Sequence, residues 1–402
     1  MNRPSPRPVL FLSHAASRNG ASVLLLHLLR WLRQHTDIQP EVFCEGGGPL
    51  LADFRDVART HVAPAAAWPR AGETPLQAAL RARVLAPALR AMLANRRPRL
   101  VYANTTAAWN QVAALARADV PLLWHVHELP FALALTLPTP RARALLSGAT
   151  RVVAVSEAVR DVLVRDHGLA RGVVDVVNGF VPAPMQCGDA ARGRRAEVRA
   201  AFGWPDDAQV VGACGGPGWR KGSDLFLQAA RHAVQAPDAP DLRFLWVGGD
   251  ESSVEARQFD HDARALGLQA RVRRVASTAD VDSHYAAMDV FALTSREDPF
   301  PLVMLEAAGH ALPLTCFDDS GGGVEFARQG TGVVVPHADA AALGRTWVDL
   351  ARDAPRRRAL GQEAARRVAR HHRVEVQAPR MLRSIEACLA DPLPAPARMA
   401  WR

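Results

Sequence analysis

Short aliphatic and β-branched runs alternate along this chain with longer stretches whose apolar residues recur every three or four positions. In the first half, Val9–Ser13, Leu100–Ala103, Leu122–Val126 and Val152–Val155 predict buried strands. Each leads into a stretch of helical spacing: Ala21–Gln34, Ala107–Arg117, Arg141–Ser147 and Glu157–Arg165. The rhythm restarts at Val210–Ala213 and continues through Arg243–Val247, Val272–Val275, Val290–Thr294, Pro313–Phe317 and Val333–Val335. Strand–helix alternation of this kind predicts parallel sheets flanked by helices. It occurs twice, so we expect two doubly wound α/β domains. The first covers residues 1–180 and the second 208–370. Between them, 181–207 is rich in Pro, Gly, Ala and Arg and reads as a linker leading into a helix near Arg195–Phe202. Ala340–Leu389 is almost wholly helical in pattern, with 371–390 forming a last helix that packs back toward the first domain. Residues 391–402, with three prolines, read as a loose tail.

Composition narrows the class. At 402 residues, with 49% hydrophobic and 22% charged residues, the chain is neither disordered nor fibrous. No apolar run reaches the roughly 18 residues of a spanning helix. The run near the N-terminus, Val9–Leu12, is shorter than a secretory signal requires, so a cytoplasmic location is expected. The cysteines Cys44, Cys187, Cys214, Cys316 and Cys388 are scattered and form no C-x-x-C, which points to reduced, buried thiols. The net charge is +9, and only one of the 49 basic residues is a lysine, Lys221. An arginine bias of that size reflects a GC-rich coding background, against which the single lysine stands out. The basic excess, with runs such as Arg192–Arg195 and Arg356–Arg358, is either a solvated face or an attraction to anionic lipid or a polyanionic substrate. No zinc-finger spacing or RNP-like motif is present, so nucleic acid is not expected as a partner.

Ligands of doubly wound sheets bind beyond the carboxyl ends of the strands, so the residues just after strands are the ones to examine. After the first strand, Gly20 stands at the start of a helix, where free N–H groups can meet a phosphate. The dinucleotide fingerprint G-x-G-x-x-G is absent, which disfavours a dehydrogenase. Trp124-His125-Val126-His127-Glu128 places His127 at a strand lip. Two histidines two apart are a weak metal signal without a third ligand. In Gly215-Gly216-Pro217-Gly218-Trp219-Arg220-Lys221-Gly222, glycines allow close backbone approach and Arg220 and Lys221 supply charge for a phosphate. The strongest segment is Thr294–Glu306. A strand ends, a proline-constrained loop carries Glu297 and Asp298, and a helix starts near Pro301 with Glu306 about one turn inside. A carboxylate there can accept two hydrogen bonds from a vicinal diol.

Taken together, the Gly20 loop, His127-Glu128, Val153–Glu157, Asn178-Gly179, Arg220-Lys221-Gly222 and the acid-x₇-acid segment ending at Glu306 resemble a retaining glycosyltransferase of family 4. The resemblance covers nearly the full length. It implies the GT-B fold, two Rossmann-like domains facing across a cleft, the second holding a nucleotide-diphosphate sugar. It implies that Lys221 and Arg220 neutralise the diphosphate, that Glu306 binds the ribose hydroxyls, and that Asp298 or its neighbour Glu297 contacts the donated sugar. Backbone around Phe300, Pro301, Leu302 and Val303 would touch the diphosphate, the Gly20 loop would close over it, and His127 would reach the sugar or diphosphate. The implied chemistry needs no metal and no cofactor beyond the sugar donor. The implied acceptor is a glycan or a polyprenyl-linked glycan in cell-surface polysaccharide synthesis, with peripheral contact to an anionic membrane. One departure is Gly215, where the family often carries an arginine. A nucleotide-sugar epimerase of related fold and a degenerate, non-catalytic assembly subunit are the alternative readings.

Overall fold

The first apolar run lies at the centre of β1 (Arg7–Ala15), where Val9, Leu10, Phe11 and Leu12 are buried. In the computed structural model, which describes residues 7–65, 75–115, 120–182 and 189–390, this strand anchors a seven-stranded parallel sheet. β2 (Ile38–Gly46) and β3 (Arg59–Val62) extend it to one side. β4 (Leu100–Asn104), β5 (Leu122–Val126), β6 (Arg151–Ala154) and β7 (Val174–Val176) extend it to the other, in the order β3-β2-β1-β4-β5-β6-β7. β4 and β5 are buried at every position, as strands covered by helices on both faces must be, and so they read as unbroken apolar runs. Three strands escaped sequence prediction. β2 is interrupted by Pro40, Glu41 and Glu45, β3 is a polar edge strand, and β7 is three residues long with Asp175 at its centre.

The second sheet has six parallel strands: β8 (Gln209–Cys214), β9 (Leu242–Val247), β10 (Val272–Val275), β11 (Val290–Leu293), β12 (Leu314–Phe317) and β13 (Gly332–Val335). Their order is β10-β9-β8-β11-β12-β13, and each coincides with a run read from the sequence. On one face Phe226, Phe244, Trp246, Phe259 and Trp347 form a chain of tilted and edge-to-face ring contacts 5.3–6.2 Å apart.

Contacts divide the chain into two units, residues 1–180 with 374–402, and residues 181–373. The last helix, Val374–Ala390, belongs to the first unit. Its Ser384 hydroxyl donates to Asp175 at 2.7 Å, and its Met381 sulfur accepts the Tyr102 hydroxyl. The stretch 181–207 groups with the second unit. Helix Asp189–Ala201 docks there through Arg195 and Arg199, which share Asp289 at 2.7 Å each and bind the carbonyls of Ala286, Ala287 and Met288. Arg199 is 1% exposed. The basic run ending at Arg195 is therefore partly a packing device rather than a solvated face. The tail 391–402 and Cys187 lie outside the described residues. Cys44, Cys316 and Cys388 are buried free thiols, as expected, whereas Cys214 is only half-buried.

In each sheet the strand order reverses once, between β1 and β4 in the first unit and between β8 and β11 in the second. The loops beyond the carboxyl ends at the second switch point carry Arg220, Lys221, Glu297 and Asp298, with Glu306 on the helix that follows, whereas His127 and Glu128 follow β5, one strand from the first switch point.

Candidate active site

In the second unit, two loops leave adjacent strands. Residues 215–222 follow β8, and residues 294–301 follow β11. Gly222 joins them closely. Its φ is +63°, and a Cβ there would stand 2.0 Å from the Thr294 carbonyl oxygen. Thr294 Oγ1 in turn donates to the Lys221 carbonyl at 3.0 Å. The result is an ion pair across the loops. Lys221 Nζ lies 2.5 Å from Asp298 Oδ2, Ser295 Oγ donates to the same oxygen at 3.0 Å, and Arg220 Nη1 stands 3.7 Å from Oδ1. Arg220 also donates to the Glu297 carbonyl at 3.0 Å. Burial pushes the Asp298 carboxyl up, but Lys221 and Arg220 more than offset it and hold the group below its ordinary value. Asp298 is buried beside the cations, whereas Glu297 is only half-buried.

Gly215 is explained by the same pair. Its φ is +138°, and a Cβ would approach Lys221 Cε to 3.1 Å and Nζ to 3.6 Å. The lysine stem occupies the space a side chain at 215 would need, and Arg220 is the second cation of the site.

Glu306 lies on helix Leu302–Gly309 and accepts a hydrogen bond from the Tyr285 hydroxyl at 2.9 Å. Burial raises its carboxyl above the ordinary range, against the lowering effect of that hydrogen bond. The helix begins after Pro301 without a side-chain cap, so the Leu302 and Val303 amides carry the positive end of the helix dipole. One of the residues proposed to touch a diphosphate through its backbone needs correction: Pro301 has no N–H to donate. The Phe300 ring, 8% exposed, lies tilted against His372 at 5.4 Å and packs within the unit, which leaves only its backbone for such a contact.

Sequence reasoning passed over several supports. Ser320–Gly323 follows β12 and grips the acidic loop. The Asp298 N–H donates to the Ser320 carbonyl at 2.7 Å, and the Gly322 N–H to the Asp298 carbonyl at 3.2 Å. A Cβ at Gly322 would meet the Pro299 carbonyl at 2.3 Å, so the triple glycine was the legible signal. Arg296 pairs bidentately with Asp224 at 2.9 and 2.7 Å, donates to the Trp219 carbonyl and covers the Trp219 ring, tying the two loops together. Sequence reasoning counted D-x-D as absent in support of the metal-free expectation, but two such triplets are present, at 260–262 and 280–282. In the first, Asp260 pairs with Arg274; in the second, Asp280 caps a helix and Asp282 pairs with His310. Among the described residues no group of three or more His, Cys, Asp or Glu is placed to hold a metal ion.

In the first unit, His127 follows β5. Its Nε2 lies 3.1 Å from both Asn104 Oδ1 and His125 Nδ1. Burial, reinforced by His14, pushes it down to about 3, so the imidazole is neutral at physiological pH. Glu128 accepts the main-chain N–H groups of His127 and Thr106, and burial pushes its carboxyl up to about 7. Thr105, next to Thr106, lies at φ +73° and ψ 156°, a strained conformation for a β-branched residue. It is held by its N–H to the His125 carbonyl and by Trp124 Nε1–H on its own carbonyl. Gly20 opens helix Gly20–His35, but a Cβ there would find open space, and Asn19 Oδ1 already takes the Ser22 N–H. The fold by itself therefore does not require a glycine at 20.

Comparison with known proteins places this arrangement. The chain superposes on Anabaena HepE in complex with UDP-glucose with a TM-score of 0.78, at 19% identity, covering 94% of this chain and 99% of that one. With sucrose-phosphate synthase of Thermosynechococcus elongatus the TM-score is 0.76, at 20% identity over 96% and 99% of the chains. The two parallel-sheet units are those of the GT-B fold. A family model described as Glycosyltransferase Family 4 matches residues 18–183, and one described as Glycosyl transferases group 1 matches residues 208–353. The chain belongs to glycosyltransferase family 4. Among curated relatives, a D-inositol 3-phosphate glycosyltransferase of Kineococcus radiotolerans is 32% identical over 286 residues, 62% of each protein. Mannosylfructose-phosphate synthase of Agrobacterium fabrum is 31% identical over 175 residues, 40% of this chain and 36% of that enzyme.

Proposed function

We propose that this chain transfers a hexose-type sugar from a nucleotide-diphosphate donor to an acceptor hydroxyl, with retention of configuration and without a metal. The observation that carries the reading is the Lys221–Asp298 pair at the second unit's switch point, with Arg220 beside it and the Leu302 and Val303 amides and Glu306 on the helix that follows the Asp298 loop. Departure of the diphosphate builds negative charge on its oxygens and positive charge at the anomeric carbon. Two cations and a helix N-terminus meet the first charge. Asp298 neutralises Lys221 while the site is empty. With donor present, phosphate oxygens take the ammonium and sugar hydroxyls donate to the carboxylate, so little has to move. The acceptor proton passes to the leaving phosphate oxygen as the new glycosidic bond forms and the sugar–phosphate bond breaks, so no side-chain base is needed. The UDP-glucose held by the Anabaena neighbour supports a nucleotide-sugar donor. The relatives named for D-inositol 3-phosphate add a phosphorylated polyol to the glycan and polyprenyl-linked acceptors to be tested.

Glu306→Gln should weaken nucleoside diphosphate binding by about 1–3 kcal/mol, because the charged acceptor for the ribose hydroxyls becomes a neutral amide, whose oxygen accepts more weakly and whose NH₂ cannot accept at all. Calorimetric titration checks this, and unchanged affinity removes Glu306 from the site.

His127→Ala should lower turnover and leave nucleotide affinity intact, since a neutral imidazole offers the sugar a hydrogen bond rather than charge to the diphosphate. As the group stays uncharged down to about pH 3, no limb of the wild-type pH–rate profile near 6.5 should vanish in the variant. Activity should survive EDTA; its loss, with rescue by a divalent ion, contradicts the metal-free reading.

No helix among the described residues is long and apolar enough to cross a membrane. A polyprenyl-linked acceptor would then be met by peripheral contact from the cytoplasm, helped by the +9 charge. Flotation should show binding to anionic vesicles over neutral ones, and equal, negligible binding to both removes this part of the proposal.

A further inference from the structure

The chain contains 13 phenylalanines and only two tyrosines, Tyr102 and Tyr285. Both are 0% exposed, where a phenylalanine would fill nearly the same space, and each brings its hydroxyl to a buried or half-buried polar residue, Tyr285 to one at the second unit's switch point and Tyr102 to one within β5 of the first unit. Tyr102 meets His125 at 2.7 Å, and Tyr285 donates to Glu306 Oε2 at 2.9 Å. A buried hydroxyl without a partner is costly, so these two are retained for the bonds they make.

The surroundings of Tyr285 leave it little freedom. It sits on helix Val281–Ala287, with its ring against Phe291 at 6.0 Å and His310 at 5.5 Å. His310, one turn beyond Glu306, is itself fixed by Asp282 at 2.8 Å. The Cys214 thiol, at the end of β8, also interacts with the Tyr285 hydroxyl, and burial pushes that thiol up to about 11, so it remains protonated.

We propose that Tyr285 is a positioning residue for Glu306, fixing one carboxylate oxygen so that the other is aimed at a ribose diol. This rests on the reading of Glu306 as the ribose acceptor. It makes Tyr285 a determinant of affinity for the ribose-bearing half of the donor, although Tyr285 itself touches no ligand.

Charge on Glu306 follows from the same contact. Burial and Asp282 raise its carboxyl, and the Tyr285 hydrogen bond lowers it. The other titratable groups around the cluster are Cys214, His310 and Lys221, whose charge reaches Cys214. Loss of the hydroxyl raises Glu306 further. Ribose-dependent affinity, present above the Glu306 pKa and lost as pH falls through it, is then lost at a higher pH.

The test is calorimetric titration of wild type, Tyr285→Phe, Glu306→Gln and the double variant with UDP, GDP and ADP and with their 2′,3′-dideoxy counterparts, across pH, with a thermal melt of each. Tyr285→Phe should weaken the ribonucleotide that the wild type binds by roughly three- to tenfold, leave its dideoxy counterpart unchanged, and move the acid limb of affinity to higher pH. In the Glu306→Gln background it should add nothing. Equal weakening of both nucleotides, or no weakening of either, overturns the positioning role. If Glu306→Gln leaves ribonucleotide affinity unchanged, or none of the three nucleotides binds the wild type, the ribose reading fails first and the positioning role with it.

Discussion

Lys221→Arg should lower sugar transfer by about 10²-fold although the positive charge is kept. The lysine stem runs against Gly215, where even a Cβ would be 3.1 Å from Cε, and its ammonium lies 2.5 Å from Asp298 with the side chain 16% exposed. An ammonium on a thin stem fits that space. A guanidinium is planar, wider and prefers a two-pronged partner, so it would push back the glycine loop or turn away from Asp298. Either displaces the leaving diphosphate, and a misplacement of ~1 Å is enough for the stated loss. Lys221→Ala should be worse, about 10³-fold, since it also removes the charge that meets the departing phosphate. It leaves the buried Asp298 with the Ser295 hydroxyl at 3.0 Å and, as its nearest remaining cation, Arg220 at 3.7 Å. Steady-state transfer by the three proteins, each checked by thermal melt, decides the matter. Wild-type turnover in Lys221→Arg would make the single lysine an accident of composition.

Asp298→Asn should reduce turnover by roughly 10²-fold while affinity for the free nucleoside diphosphate holds or improves. The asparagine keeps the shape and the Ser295 contact but loses the charge that confines Lys221. Without that competitor the ammonium is more available to phosphate, so binding of the product nucleotide should not suffer. The sugar, however, loses a charged acceptor beside its hydroxyls. Glu297→Gln should do much less. Glu297 is only half-buried, whereas Asp298 is buried in direct contact with Lys221, and the Glu297 main-chain carbonyl accepts from Arg220. The comparison is kcat with the sugar donor against Kd for the free nucleotide. Loss of transfer in Glu297→Gln but not in Asp298→Asn would show that the sugar-contacting acid is Glu297.

The architecture was legible where physics writes it repeatedly. The six strands of the second unit are short runs rich in Val, Leu and Phe, and β11 and β12 are buried at every position, so the runs announced themselves even where β9 and β10 carry arginines. β2, β3 and β7 did not, since a proline, buried or edge polar residues and extreme shortness remove the run that marks a strand. Lys221, Asp298 and Glu306 stood out by type and spacing, and the structure gathers them on adjacent strand ends of one unit. Their coupling was not legible. Two residues 77 positions apart form the ion pair, and only the parallel pairing of β8 with β11 brings them together. Arg296, Ser320 and Tyr285 were missed for the same reason: each acts through a neighbour that is distant in sequence. Thr105 gave no sign at all, because a strained backbone angle leaves no trace in composition.

The central claim is that the second unit is a nucleotide-sugar site built on Lys221. It is tested most directly by thermal melts of wild type and Lys221→Ala against UDP-, GDP- and ADP-linked hexoses, with NAD alongside. The account predicts that at least one sugar nucleotide raises the wild-type melting temperature, that the shift shrinks sharply in Lys221→Ala, and that NAD does nothing. Stabilisation by NAD and by no sugar nucleotide, or an undiminished shift in Lys221→Ala, would contradict it.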